Sequence, residues 1–268
     1  SLIHHPCGEI TEYLSNYFDI TDFKTTISTA CSSTANAVML AARLIKNNMA
    51  DRVLVGGGDA LTSFTVNGFN SLRIYDNDYC KPFDNNRNGL NLGEAAGYIV
   101  LENEKSLSLT NNKRIASILG WGNANDAYHQ TASSPDGEGA QKSMKDALKV
   151  ANLKPNEIDY INAHGTATNN NDLSEGKAIE KIFGKNQLYS STKAYTGHTL
   201  AAAGIVELIF SILSIQHNTI FPVLNYENKM KELEIEPIHK IKQNKEINTV
   251  LSNSFGFGGN NATIIIGK

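Results

Sequence analysis

Two hydrophobic periods alternate regularly along the chain, and this alternation limits the fold more than any other feature. Ala35, Val38, Met39, Ala42 and Ile45 recur at spacings of three and four, which predicts a helix from about Cys31 to Lys46. The stretch Arg52–Gly58 is a nearly continuous apolar run ending in three glycines, the pattern of a buried strand entering a turn. A further strand is predicted at Lys24–Ser28, and others at Ala96–Glu102 and Ile115–Trp121. A second cycle then places a helix at Gly139–Ala151, a strand at Tyr160–Ala163, a helix at Asp172–Phe183 and a short strand at Gln187–Ser190. The apolar helix Leu200–Gln216 and strands at Asn248–Asn253 and Ala262–Ile266 complete the pattern. Alternating elements of this kind specify a layered α/β fold. The two cycles resemble each other in order, which points to a pseudo-duplicated fold.

Composition narrows the function classes. There are 24 Lys+Arg against 27 Asp+Glu, for a formal net charge of -3 and a pI near 6.2. Nucleic-acid binding needs a clustered basic surface, so it is excluded as a main role. The longest apolar run, Ile205–Ile215, is interrupted by Glu207, Ser211 and Ser214. It reads as a buried core helix rather than a membrane span, and no charged segment followed by an apolar one marks a signal peptide near Ser1. Cys7, Cys31 and Cys80 are odd in number and form no Cys-x-x-Cys pair, which argues against a disulfide framework or a zinc site. A reducing, cytoplasmic setting is expected, in which one cysteine with histidines elsewhere is a candidate nucleophile.

Cys31 opens the first helix within Thr29-Ala-Cys-Ser-Ser-Thr-Ala-Asn36. Free N–H groups and partial positive charge in a first helical turn favour a thiolate, so the setting predicts a lowered thiol pKa. The alternative is a small buried core residue. Cys80 lies in a segment with the composition of a loop, without a helix start, and reads with Cys7 as structural or incidental.

Two histidines occupy comparable turns. His164, in Asn162-Ala-His-Gly-Thr-Ala-Thr168, sits at the carboxyl end of a predicted strand, the usual address of active sites in α/β sheets. His198, in Lys193-Ala-Tyr-Thr-Gly-His198, precedes a helix N-terminus, which disfavours the imidazolium and suits an N–H donor that stabilises an oxyanion. Either ring alone could equally be a satisfied structural residue. His4, His5, His129, His217 and His239 lack this setting. No ligand spacing for a metal appears. Asn253–Asn261 is glycine-rich but lacks the Gly-Lys-Ser/Thr of a phosphate loop; it reads either as a mobile flap or as a tight hairpin.

Together these segments resemble the condensing enzymes, the β-ketoacyl-(acyl carrier protein) synthases of the thiolase-like fold. The resemblance rests on Thr29-Ala-Cys31-Ser-Ser, Lys81-Pro-Phe-Asp-Asn-Asn-Arg-Asn-Gly89, Gly93-Glu-Ala-Ala-Gly97, His164-Gly-Thr-Ala-Thr168, Lys193 with His198, and Asn253-Ser-Phe-Gly-Phe-Gly-Gly259. It implies a layered αβαβα architecture built from two similar halves. Residues 1–122 would form the C-terminal part of an incomplete first half carrying Cys31, and residues 123–268 a second half carrying both histidines. Subunits of the family are longer than this chain, so the resemblance also implies an N-terminally truncated first half, with exposed sheet edges and an unfinished dimer interface.

The same resemblance implies the roles. Cys31 would hold an acyl group as a thioester; His164 and His198 would assist decarboxylation of a malonyl thioester; Lys193 would position His164. Backbone N–H groups of Cys31 and Phe257 would form an oxyanion hole, Phe257 would gate the acyl pocket, and Thr166 and Thr168 would bind the phosphopantetheine arm. Asp172, Glu175 and Glu207 would sit in buried structural networks. The product would be a 3-oxoacyl chain on acyl carrier protein with release of carbon dioxide, in fatty acid or polyketide or aryl-polyene biosynthesis. No tightly bound cofactor is implied, since substrates arrive on the phosphopantetheine of acyl carrier protein; a homodimer or a ketosynthase heterodimer is implied as the assembly. The alternatives are a non-catalytic or incomplete ketosynthase subunit that serves as a heterodimer partner, and a cysteine hydrolase. Two departures stand out: Ala95 follows Glu94 where the family usually has Gly, and Asn260 stands where Thr is common.

Overall fold

The computed structural model describes residues 6–243 and 246–268, so His4 and His5 lie outside the described residues. Its elements in chain order are α1 (Glu9–Tyr17), α2 (Ser33–Lys46), β1 (Arg52–Asp59), α3 (Ser63–Ser71), β2 (Ala95–Glu102), α4 (Glu104–Ser108), β3 (Ser117–Asn125) and α5 (Glu138–Ala151). There follow β4 (Tyr160–Asn162), α6 (Asn169–Phe183), β5 (Tyr189–Ser190), α7 (Lys193–Thr196), α8 (Ala203–His217), β6 (Thr219–Ile220), β7 (Lys242–Gln243), β8 (Thr249–Gly256) and β9 (Asn260–Gly267). Most predicted elements are present within a few residues. The helices α1, α3 and α4 were not legible: α3 is rich in Asn and Gly and buries no residue, so it lacks the apolar stripe that marks a helix in sequence.

Two ladders organise the fold. β1 and β2 pair antiparallel over their full length, from Arg52 opposite Glu102 to Asp59 opposite Ala95. The larger sheet has the order β3-β9-β8-β4-β5, antiparallel across β3-β9-β8 and parallel across β8-β4-β5. α2 and α8 lie between the sheets: α2 touches β1 and β9, α8 touches β2 and β8, and the two helices touch each other. Val38 of α2, Ile205 and Leu208 of α8, Val250 of β8 and Ile264 of β9 form one apolar core there. A second core, with Met144 and Ala147 of α5 and Ile179 of α6 against Ile161, Leu251 and Ile265, covers the other face of the large sheet. The sequence of layers is therefore sheet, helices, sheet, helices. Each half contributes one buried helix followed by an eight-residue antiparallel pair, α2 with β1-β2 and α8 with β8-β9, which is the repetition expected from sequence.

The predicted strand at Lys24–Ser28 is a correction. Those residues are largely exposed and join no ladder among the described residues. A strand exists only through backbone pairing, whereas Lys24 and Thr26 make side-chain contacts to Glu12 and Thr11 of α1. An open groove of about 1720 Å³ runs between residues 6–28, α2, β1 and β2. By length and composition the 18-residue stretch Leu200–His217 would suit a membrane, with mean hydropathy 1.6, yet it lies between the sheets with Leu208 and Ile205 fully buried. It is the core helix that its interrupting polar residues suggested.

Leu208 is wholly buried where both sheets meet α8. Leu208→Ala should lower the unfolding free energy by about 2–5 kcal/mol, measured by urea denaturation, since the cavity adds to the lost transfer term.

Candidate active site

Cys31 lies two residues before α2, whose N-cap is Ser32. A web of short-range bonds shapes the turn: Ser33 Oγ accepts from Thr29 N at 2.9 Å and donates to Ala30 O at 2.6 Å, while Ser32 Oγ donates to Thr29 O at 2.7 Å. Ala30 is forced to a φ of 50°, a costly conformation for a residue with a Cβ. The thiol is buried. Here the structure corrects the expectation of a lowered thiol pKa. Burial pushes the Cys31 thiol up to about 11, with Glu207 adding to the rise, and Lys193 and the backbone N–H groups of Cys31 and Phe257 offset only part of it. Desolvation of the anion outweighs the field of the helix terminus.

Phe257 opens the turn of the β8-β9 hairpin, Phe257–Gly259, in which Gly258 and Gly259 take φ of 86° and 81°. Of the two readings left open by sequence, the tight hairpin is the one present. Gly258 is tied down by N–H donation to Gln130 O at 2.7 Å and by Asn125 Nδ2 on its carbonyl at 2.9 Å. Gly256 lets the hairpin approach the nucleophile turn: a Cβ there would fall 2.7 Å from Thr29 O and 3.2 Å from Cys31 N. The Phe257 ring stacks on Phe69 of α3 at 5.9 Å between centroids.

His164 follows β4 at the carboxyl end of the large sheet. Glu175 of α6 fixes its backbone, accepting from His164 N at 2.8 Å, Gly165 N at 2.9 Å and Asn253 Nδ2 at 3.0 Å. Burial raises the Glu175 carboxyl to about 7. Lys193, itself buried, places Nζ 3.2 Å from His164 Nδ1 and 2.6 Å from His164 O, and forms an ion pair with Glu207 of α8. Burial likewise raises Glu207 to about 7, against the pull of the Lys193 ammonium. An ammonium can only donate, so Nδ1 of His164 accepts and the ring proton of the neutral imidazole sits on Nε2.

His198 reaches the same state by other means. Its backbone donates to Asn91 O at 2.7 Å and accepts from Gly93 N at 3.0 Å, and its Nδ1 accepts from Leu200 N at 3.3 Å. Gly93 is needed for that seat, since a Cβ there would lie 1.9 Å from Thr196 O. The neutral ring again carries its proton on Nε2. Burial, followed by the Lys193 charge, holds both imidazoles well below the usual histidine range. The rings stand 5.2 Å apart in an edge-to-face arrangement.

Cys31, His164, His198, Thr166, Thr168 and Phe257 all line one cavity of about 310 Å³, and Lys193 backs it from behind His164. Thr166 Oγ1 and Thr168 Oγ1 are 2.9 Å apart. Between them Ala167, at a φ of 64°, is held by Asp172, which also accepts from Phe83 N at 2.7 Å. Buried Arg87 anchors the same loop through Thr168 O at 3.2 Å and Asn169 O at 2.7 Å. The Pro-Phe-Asp segment is thus a clamp beneath the threonines. Cys80 is buried outside the cavity lining, and Cys7 is exposed.

A model of the β-ketoacyl synthase N-terminal domain matches residues 10–106, and one of the C-terminal domain matches residues 115–227. The chain belongs to the β-ketoacyl synthase family. It is 38% identical over 261 residues to 3-oxoacyl-[acyl-carrier-protein] synthase 2 of Coxiella burnetii, covering 94% of this chain and 63% of that protein. With the enzyme of the same name from Staphylococcus aureus it shares 37% over 249 residues, 90% of this chain and 60% of the other. The chain therefore spans somewhat under two thirds of the length of these relatives. Among solved structures it superposes on a ketosynthase from Xenorhabdus doucetiae, determined in complex with its chain length factor, with TM-score 0.91 and 35% identity over 98% of this chain and 64% of that one. A β-ketoacyl synthase from Burkholderia phymatum gives TM-score 0.93 and 30% identity over 97% and 65%. The layered fold is thus the thiolase-like one.

Several site residues escaped the sequence reading. Phe69 sits on a helix without a signal, Phe255 packs its ring 5.7 Å from His164, and Asp126 lines the cavity while accepting from Gly139 N at 2.8 Å. Only the glycine-rich spacing around Phe255 and Phe257 offered a hint.

A buried imidazole with a depressed pKa stays neutral in the folded chain, whereas the unfolded one takes up a proton near pH 6.5. Its contribution to stability is complete above that value and is lost as pH falls, by up to about 1.4 kcal/mol per unit. Glu175 and Glu207 titrate in the opposite sense, but they are common to parent and variant. The stability difference between the parent and His198→Gln should therefore shrink from pH 7.5 to 5.5 in urea titrations; a constant difference would contradict the neutral buried ring.

Proposed function

We propose that this chain carries the chemistry of a decarboxylative Claisen condensation between an acyl group on Cys31 and a malonyl thioester on acyl carrier protein. The observation that carries the reading is the convergence of Cys31, two neutral Nε2–H imidazoles and the N–H groups of Cys31 and Phe257 on a single 310 Å³ cavity. In the first step the thiol attacks an acyl thioester. The developing oxyanion is stabilised by the two N–H groups, and the displaced carrier thiol leaves with the proton that Cys31 gives up. In the second step the malonyl group loses carbon dioxide, and His164 and His198 stabilise the enolate through Nε2–H. The enolate carbon attacks the acyl thioester, the Cys31 sulfur departs as thiolate, and it takes up a proton from solvent.

Lys193 acts as a positioning residue, since its ammonium prevents His164 Nδ1 from carrying the proton. Thr166 and Thr168 would hydrogen-bond the phosphopantetheine arm, and Phe257, stacked on Phe69, would gate the acyl pocket. No tightly bound cofactor belongs to this reading. The names of the relatives support acyl carrier protein as the partner, and the structure solved with a chain length factor supports a ketosynthase dimer or heterodimer as the assembly. The reading includes a cytoplasmic setting, a fatty acid, polyketide or aryl-polyene-type pathway, and a division into residues 1–122 and 123–268, a boundary that falls within β3. A hydrolase is disfavoured because neither Nδ1 faces a carboxylate: one meets an ammonium and the other a backbone N–H.

Iodoacetamide should alkylate Cys31, and the chain should release carbon dioxide from malonyl-acyl carrier protein. His164→Ala should slow that release by about 100- to 1000-fold, the effect of deleting one oxyanion donor. A chain with neither a reactive Cys31 nor decarboxylation would be a non-catalytic subunit.

A further inference from the structure

The two N–H groups of the oxyanion hole come from elements more than 220 positions apart in sequence, the nucleophile turn and the β8-β9 hairpin. Their spacing must be set by something that joins those elements. Asn260 closes the hairpin, directly opposite Gly256 in the register, and a Cβ at Gly256 would lie 3.2 Å from Cys31 N. The Asn260 Oδ1 accepts from Asn36 Nδ2 at 2.8 Å and Asn123 Nδ2 at 3.1 Å, and lies 2.7 Å from Ser32 Oγ, whose one proton it shares with Thr29 O. Its Nδ2 donates to Asn123 Oδ1 at 3.2 Å, and Asn123 Nδ2 in turn donates to Asn36 Oδ1 at 2.7 Å. Asn36 Nδ2 also reaches Thr29 Oγ1 at 2.8 Å. One amide oxygen thus ties the residue after Cys31, the first turns of α2 and strand β3 to the base of the hairpin that presents Phe257.

The geometry points to Asn260 as the positioning residue of the oxyanion hole: it holds the nucleophile turn and the hairpin at the separation at which the N–H groups of Cys31 and Phe257 serve one oxygen. The effect is selective by chemistry. Acyl transfer passes through a tetrahedral oxyanion and needs both N–H groups, whereas alkylation of the thiol by iodoacetamide forms no oxyanion. Malonyl decarboxylation draws on the two imidazoles, which have their own supports in Lys193, Glu175 and Leu200.

This inference rests on the condensation reading, and the test separates the two. Acylation of Cys31 by an acyl thioester, alkylation by iodoacetamide and malonyl decarboxylation are measured in the parent, in Asn260→Ala, in Ser32→Ala and in the double variant. In Asn260→Ala, acylation should fall about 10- to 100-fold, the effect of misplacing a catalytic group by less than an ångström or so, while alkylation and decarboxylation stay within about twofold. Loss in the double variant should be smaller than the product of the single losses, because both changes break one bridge. Equal losses of acylation and alkylation would show that the network only maintains the turn, and unchanged acylation would remove the role altogether; either result overturns the inference. A parent that does not acylate at all instead overturns the functional reading. Should Asn260→Ala not fold, Asn260→Thr carries the same comparison, with a smaller selective loss of acylation expected.

Discussion

A single buried cation organises this active site. Lys193 has almost no solvent exposure, yet its ammonium meets the Glu207 carboxylate, the carbonyl of His164 and the Nδ1 of the same ring. A charge taken out of water is tolerated only when partners surround it, and here they come from two distant parts of the fold, His164 and Glu207. Glu207 sits on the helix between the two sheets, His164 at the end of a central strand and Lys193 in a one-turn helix beside them. The ion pair therefore cross-links the core to the catalytic edge. After burial, the Lys193 field is the next largest cause of the depression of both imidazoles, and at His164 the same ammonium sets the tautomer.

Cys31 follows a different logic. Burial raises its thiol. In the proposed reaction its reactivity therefore comes from stabilising charge where it would appear, on the carbonyl oxygen of an incoming thioester. That places the weight on the alignment of two backbone N–H groups, and hence on Gly256, whose missing Cβ lets the hairpin lie against the turn, and on the amide bridge at Asn260. Left-handed backbone at Ala30, Ala167 and Leu200 lies within three residues of Cys31, the two threonines and His198. Strain gathers at the catalytic loops and is held there by the rigid layers beneath.

Much of this was legible in sequence. Periodicity located α2, α5, α6, α8 and the long strands because each has one apolar face and one polar face, or is buried on both sides. Small residues and glycines beside Cys31, His164 and His198 marked the functional turns, since only such residues allow a substrate or another backbone to approach closely. Other features left no local trace. Lys24–Ser28 has the composition of a strand but joins no ladder among the described residues, and α3 carries Phe69 into the site on a helix without an apolar stripe. The resemblance marked Asn260 as a departure, but with 31 asparagines in the chain no sequence signal assigned it a role.

The sequence by itself determined the layered class, the order of the elements and the choice of Cys31, His164, His198 and Lys193 as candidates, because these depend on residue type and local spacing. Only the tertiary structure decided their electrical state and their alignment. Whether a thiol is raised or lowered depends on how completely the rest of the chain excludes water from it, and burial proved stronger than the helix terminus that the local sequence advertises. The spacing of the two oxyanion N–H groups likewise arises from packing between a turn and a hairpin distant in the chain, a contact that no local pattern encodes.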